Sequence, residues 1–195
     1  MSQPFFHLTF ILVFVAFMGI RAYYFRKAQK HGGKAEYKEE KMTKIRQTIG
    51  WIFPLTLLAY MLRPSILGWA TLTLPGWVQW TGVVLGLASL ALIWWVQWAL
   101  DVNFAVILHV RDKHTLITHG PYKWVRHPMY TTLYIHALST LFLTKNWLVG
   151  GLYLLSLTWI VIARLKNEEA TMIEKFGDAY RNYMTRTGRF LPKLI

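Results

Sequence analysis

The sequence predicts an all-α membrane protein: a polytopic bundle of five transmembrane helices followed by a cytosolic C-terminal amphipathic helix. Three observations lead there. The 195-residue chain is 54% hydrophobic and only 16% charged, against roughly 25% charged in ordinary soluble domains. It contains apolar runs of bilayer-crossing length, about 20 residues each. Its Lys and Arg fall almost entirely in segments that five crossings place on one side.

Each span has its own pattern. Residues 5–24 carry no charge before Arg21. Residues 49–70 hold Pro54, where a kink is expected, and Arg63-Pro64 near the end. Residues 77–100 carry no charge at all. The next apolar stretch, 129–162, is interrupted by Lys145-Asn146. As one helix it would reach about 51 Å, too long for the hydrocarbon core. It therefore reads as a hairpin of two spans, 129–144 and 147–163, turning at residues 144–146. The N-terminus lacks the basic region and cleavage site of a secretory signal, so the first run reads as a retained span.

Nine of the 22 Lys and Arg lie between Arg21 and Arg46, four between Arg111 and Arg126, and seven between Arg164 and Lys193. Only Arg63 and Lys145 fall on the opposite side. This places the N-terminus outside and the C-terminus in the cytosol. The net charge of +13 would point to nucleic acid in a soluble domain; here it belongs to the loops flanking the spans. The absence of cysteine excludes disulfides, thiol nucleophiles and Cys-ligated metals. Gly82-x-x-x-Gly86 permits close helix packing, within the bundle or in a homodimer. The chain reads as a single domain, 1–195.

The polar segments of the C-terminal half carry the chemistry. Between the third and fourth spans lie His109, His114, His119 and His127. They lack metal-site spacing, with no H-x-x-x-H and no H-E-x-x-H, so no metal is expected. A short extended piece from His114 leads into a Gly120-Pro121 turn, and Pro128 suits the first turn of the fourth span. Arg126 and His127 then sit at the helix entrance among Tyr122, Trp124 and Tyr130. An aromatic belt with basic anchors accounts for Trp124 and Arg126, less well for the His127-Pro128-x-Tyr130 cluster. At the end of the fifth span, Arg164 and Glu168 share a helical face, with Glu169 following. A surface ion pair worth about 0–1 kcal/mol is one reading; a functional pair at the edge of a membrane bundle is the other. Beyond them, Met172, Ile173, Phe176, Ala179, Tyr180, Tyr183 and Met184 recur at helical spacing. Lys175, Asp178, Arg181 and Arg186 take the other face, predicting one amphipathic helix along the membrane or the cytosolic loops. Gly32-Gly33 lies in a charged loop and does not follow a strand, so no dinucleotide-type Gly-rich turn is present.

Four pieces occur in order: His114-x-Leu116-Ile117-Thr118-x-Gly120-x-Tyr122; Arg126-His127-Pro128-x-Tyr130; Arg164-x-x-x-Glu168-Glu169; and Phe176-Gly177-x-x-Tyr180-x-x-Tyr183 with Gly188-Arg189-Phe190-x-Pro192. Together they resemble the isoprenylcysteine carboxyl methyltransferase family of integral membrane enzymes that use S-adenosylmethionine. The likeness covers residues 103–192; the N-terminal half matches in topology only. It implies a cofactor site built from 103–130 and 164–192. His114, Thr115, Leu116 and Ile117 would line it, Tyr122 would pack on the cofactor, and His127, Pro128, Met129 and Tyr130 would form the next wall. Glu168 would hold a polar group of the cofactor. Arg164 would act as the catalytic residue that meets the substrate carboxylate, with Arg126 and Glu169 also on the substrate side. Where eukaryotic members carry Gln seven residues before the His, this chain has Ile107.

The implied activity is methyl transfer to the carboxylate of a lipophilic, prenylcysteine-like substrate at the cytosolic membrane face. That chemistry needs neither base nor metal, because such a carboxyl is ionised at pH 7. The alternatives are a phospholipid amine N-methyltransferase, an NADPH-dependent membrane reductase, and a non-enzymatic membrane scaffold. The short five-span form favours a prokaryotic inner membrane over the endoplasmic reticulum. The partners implied are the bilayer and a lipidated carboxylate, without nucleic acid or metal.

Overall fold

The computed structural model describes residues 3–32, 44–101 and 115–193. Among them are six α-helices: α1 (Gln3–Gly32), α2 (Lys44–Leu62), α3 (Gly76–Leu100), α4 (Pro128–Thr144), α5 (Trp147–Phe176) and α6 (Asp178–Arg186). Two 3-10 turns, Pro64–Ala70 and Gly120–Lys123, complete the regular structure. Only isolated bridges, with no strand, occur among the described residues. The all-α expectation therefore holds.

Three helical stretches are long and apolar enough to cross a bilayer: Gln3–Lys30, Gly76–Leu100 and Trp147–Phe176. Their outward residues are large and apolar, with Leu12, Trp94 and Ile162 among the exposed side chains. Such surfaces are unsuited to water and suited to lipid. The protein is an integral membrane protein. A fourth crossing exists if Trp51–Leu62 and Pro64–Ala70 form one span, but that pair is bent by 116°. The expected kink lies elsewhere: α2 runs through Pro54 and breaks at Arg63, whose φ of −152° and ψ of 87° are extended. The ring of Pro64 clashes with a helical residue before it. α4 is 17 residues long, shorter than a typical span.

The chain groups into two compact units. The first comprises Met1–Ala16, Lys38–Leu90 and Leu133–Trp159. Its core holds Phe6, Phe10, Leu57, Tyr60, Leu67, Leu143 and Val149. Gly82 and Gly86 turn towards α4. A Cβ on Gly82 would stand 2.9 Å from the Leu143 backbone nitrogen, and one on Gly86 2.9 Å from Ser139 Oγ. Ser139 in turn donates to the Gly82 carbonyl at 2.7 Å. The small-residue pair thus serves packing within this chain. The predicted hairpin turn is present: α4 ends at Thr144 and α5 begins at Trp147. Lys145 takes a left-handed φ of +47° and donates to the Leu74 carbonyl at 2.6 Å. Asn146, fully buried, donates to the Leu67 carbonyl and accepts from the Val149 amide, capping α5.

The second unit comprises Phe17–Tyr37, Ala91–Thr132 and Ile160–Ile195. It contains the predicted site segments. α5 runs unbroken to Phe176 and carries Arg164, Glu168 and Glu169 in its C-terminal part. The expected single amphipathic helix over 172–184 is instead split. Gly177, at φ +52°, ends α5 and starts α6. A side chain at that φ would be strained, so glycine makes the break inexpensive.

Candidate functional site

The site is assembled from the Thr115–Tyr130 segment, the C-terminal part of α5 and the C-terminal tail. The turn at Gly120 sets the approach. Its φ is +58°, and a Cβ there would lie 3.1 Å from Ala99 Cβ. Glycine thus lets the 3-10 turn sit against the end of α3. Tyr122 is buried against Val96 and Ala99, with Leu100, Ile117 and Met129 packed around it. Tyr183 of α6 donates to the Tyr122 carbonyl at 2.6 Å, pinning the turn. Burial pushes the phenols of Tyr122 and Tyr183 well above their usual range, so both remain neutral.

Arg126 is held by the fold. Its side chain is 8% exposed. Nε donates to Glu169 Oε1 at 3.2 Å, and Nη1 to the carbonyls of Met184 and Thr187. Glu169 is equally buried and also accepts from Arg189, at 2.7 Å through Oε2. One carboxylate therefore joins two guanidinium groups. Backbone bonds reinforce the join. The amides of Arg126 and His127 donate to the carbonyls of Gly188 and Arg189 at 2.8 and 3.0 Å, and Gly188 donates back to Trp124. The tail is thereby laid alongside the segment that enters α4.

Pro128 opens α4 as predicted. In its first turn Tyr130 donates to Glu168 Oε1 at 2.7 Å. Phe190 lies beside both rings, with centroids 6.2 Å from His127 and 6.5 Å from Tyr130, and its carbonyl accepts from Thr131. His127 Nδ1 is 3.8 Å from Glu168 and Nε2 3.5 Å from Glu169. Burial lowers the imidazole pKa to about 4, overriding the pull of Glu169. His127 is neutral at pH 7.

Of the predicted site residues, the structure gathers Ile117, Tyr122 and Met129 into one apolar cluster. It joins Tyr130 to Glu168 with His127 close by. Leu116 is half-buried and Thr115 exposed. His114 lies outside the described residues, as does Ile107. Arg164 is exposed. The i, i+4 ion pair with Glu168 is not formed, since Glu168 takes Tyr130 instead. Arg126 and Glu169, read from the sequence as substrate contacts, are engaged with each other and with the tail. The roles of Tyr183, Thr187, Arg189 and Phe190 were not anticipated. The Gly188-Arg189-Phe190 motif was visible, but spacing alone does not reveal what a tail packs on. Among the described residues, no three His, Cys, Asp or Glu side chains are placed to hold a metal ion.

Residues 81–174 match the isoprenylcysteine carboxyl methyltransferase family. The chain is similar to the mouse protein-S-isoprenylcysteine O-methyltransferase, at 29% identity over 126 residues, covering 64% of this chain and 44% of the mouse one. It is also similar to the enzyme of that name from Schizosaccharomyces pombe, at 35% identity over 88 residues, covering 45% of this chain and 37% of the other. The chain thus spans under half the length of these curated relatives. Its fold is similar to the solved structure of the eukaryotic intramembrane Ras methyltransferase, isoprenylcysteine carboxyl methyltransferase. The TM-score is 0.59 at 19% identity, covering 94% of this chain and 67% of that one. The family segment takes in Tyr122, Tyr130, Arg164, Glu168 and Glu169, and ends before the tail that holds Arg126.

Proposed function

We propose that this chain is a membrane methyltransferase that moves a methyl group from S-adenosylmethionine to the carboxylate of a lipophilic, prenylcysteine-like substrate at the cytosolic face. The observation that carries the proposal is the Tyr130–Glu168 hydrogen bond of 2.7 Å, with exposed Arg164 one helical turn earlier on α5. In this reading the bonded pair receives one ligand and the exposed guanidinium of Arg164 receives the other.

The residues fit such a donor. Tyr122, Ile117 and Met129 form an apolar, partly aromatic surface. A phenol face attracts a sulfonium through its quadrupole, and the neutral state of Tyr122 preserves that face. Glu168 accepts hydrogen bonds from hydroxyl groups, with Tyr130 holding its orientation. When bound, S-adenosylmethionine supplies an electrophilic methyl group. A substrate carboxylate, ionised at pH 7, would be the nucleophile for that methyl group. Opposite charges cancel and no proton moves, so neutral His127 need not act as a base. Arg164 orients the carboxylate with paired donors, and alignment of nucleophile and methyl supplies the rate. Charge loss on both partners is favoured where water is excluded. Arg126, Glu169 and Arg189 serve this arrangement by fixing the tail and the entrance to α4.

In this reading there are five spans, with α2 and its bent continuation as one and α4 and α5 as the last two. The N-terminus is outside, the site is cytosolic, and the setting is a prokaryotic inner membrane. A phospholipid amine acceptor is the second reading; the cationic Arg164 at the acceptor position disfavours it.

The test is ligand binding to detergent-purified protein. S-adenosylmethionine binds in the micromolar range, Glu168→Ala weakens it, and NADPH does not compete. Base-labile methyl esters then form on a prenylcysteine analogue. Binding of NADPH alone would move the chain to the reductases.

A further inference from the structure

The cytosolic end of α3 forms one wall of a cleft of about 350 Å³ lined by Lys27, Trp98, Ala99, Leu100, Asp101, Ile117 and His119. The cleft is continuous with the candidate cofactor surface. Ala99, Leu100 and Ile117 line the one and also belong to the Tyr122–Met129 cluster. Its charged feature is an ion pair, Lys27 Nζ to Asp101 Oδ1 at 2.5 Å, with side chains 36% and 47% exposed.

Two properties of this pair are poorly explained by stability. Exposed ion pairs contribute little, because water solvates the separated charges almost as well. And Asp101 directly follows the last residue of α3, in a left-handed conformation of φ +43°. The C-terminal end of a helix carries partial negative charge and favours a cation, so a carboxylate there is electrostatically unfavourable for the helix. An Asp at that point suits a site that receives a cation, and Lys27 beside it suits one that receives an anion.

We propose that the Lys27–Asp101 pair is the receptor for the zwitterionic amino-acid end of the methyl donor. On binding, the pair opens: Lys27 takes the ligand carboxylate and Asp101 the ligand ammonium. Two charges are exchanged for two charges, and the cleft never carries net charge in either state. His119 and Trp98 complete the walls. This inference rests on the S-adenosylmethionine reading of the adjoining surface and adds the part of the ligand that the Tyr122 and Glu168 contacts leave unassigned.

The experiment compares S-adenosylhomocysteine, which has the amino-acid end, with 5′-methylthioadenosine, which lacks it, by titration calorimetry in detergent. Wild type binds the first about ten- to hundredfold tighter, the size of a charge-assisted hydrogen bond or two. Lys27→Met and Asp101→Asn each erase most of that preference, while methylthioadenosine affinity stays within about threefold. The exchanged variant, Lys27→Asp with Asp101→Lys, keeps an ion pair and hence any structural tether, but reverses the charges facing the ligand. It also loses the preference. Retention of the wild-type preference in the exchanged variant, or absence of a preference in wild type that binds both nucleosides, would overturn the inference. Failure of wild type to bind either nucleoside would instead remove the methyl-donor reading, and the inference with it.

Discussion

Tyr130 and Glu168 are 38 residues apart and meet at 2.7 Å, hydroxyl to carboxylate. The contact joins the first turn of α4 to the C-terminal part of α5. Arg164, one turn back on the same helix, forms no salt bridge with Glu168 and is exposed. This division of labour, a carboxylate fixed by a phenol and a guanidinium left available, underlies the first two predictions.

Tyr130→Phe removes the donor that orients Glu168 and leaves the ring. Donor affinity falls about tenfold, as for loss of one hydrogen bond to a charged group. Glu168→Gln reduces it at least as much. Titration of S-adenosylmethionine against each variant checks this; unchanged affinity in both would detach the pair from the donor site.

Arg164→Ala leaves donor affinity within about threefold and reduces methyl transfer by a hundredfold or more, about 3 kcal/mol of lost carboxylate orientation. Because Arg164 is exposed, the thermal midpoint stays unchanged. Single-turnover assays with a prenylcysteine analogue separate the two effects.

Arg126 and Arg189 both bind Glu169 but differ in exposure, at 8% and 55% of the side chain. Arg126→Ala removes the buried partner of Glu169, leaves two carbonyls without their donor and costs about 3 kcal/mol. Arg189→Ala costs about 1 kcal/mol or less, because water replaces much of the bond. Thermal unfolding in detergent distinguishes them; equal losses would contradict the buried-clamp reading.

His127 gives the stability a pH dependence with a definite sign. Its pKa is near 4 when folded, against an ordinary 6.5. Between those values the unfolded chain binds the extra proton, so stability is full above about 6.5 and falls with pH down to about 4, by up to about 3 kcal/mol. His127→Asn flattens the dependence of the thermal midpoint across that window.

Gly82→Ala places a methyl 2.9 Å from the Leu143 backbone nitrogen, forcing α3 from α4 at a cost of about 1–3 kcal/mol. Gly19→Ala meets nothing within 4 Å and is neutral or slightly stabilising through helix propensity. Midpoints measured side by side check the contrast.

Much of the fold was legible in the chain. The Lys145-Asn146 interruption marked the α4–α5 turn, and Pro128 marked the start of α4, because both act through local backbone rules. The break at Gly177 was missed, since the apolar period runs straight through it. The bend at Arg63-Pro64 was misplaced to Pro54, since two prolines in one apolar run look alike until their neighbours are known. Of the site, the candidate residues were legible, and their partners were not.

The sequence by itself determined that this is a membrane protein of helices with its polar chemistry gathered beside certain spans. Hydrocarbon imposes that requirement segment by segment, through length, charge and backbone satisfaction. Only the tertiary structure decided which charges are used up and which remain. Glu168 chose Tyr130 over Arg164, and Arg126 and Glu169 were buried beneath the tail. Such choices depend on which groups lose water together, and desolvation is a property of packed neighbours in space, not of spacing along the chain.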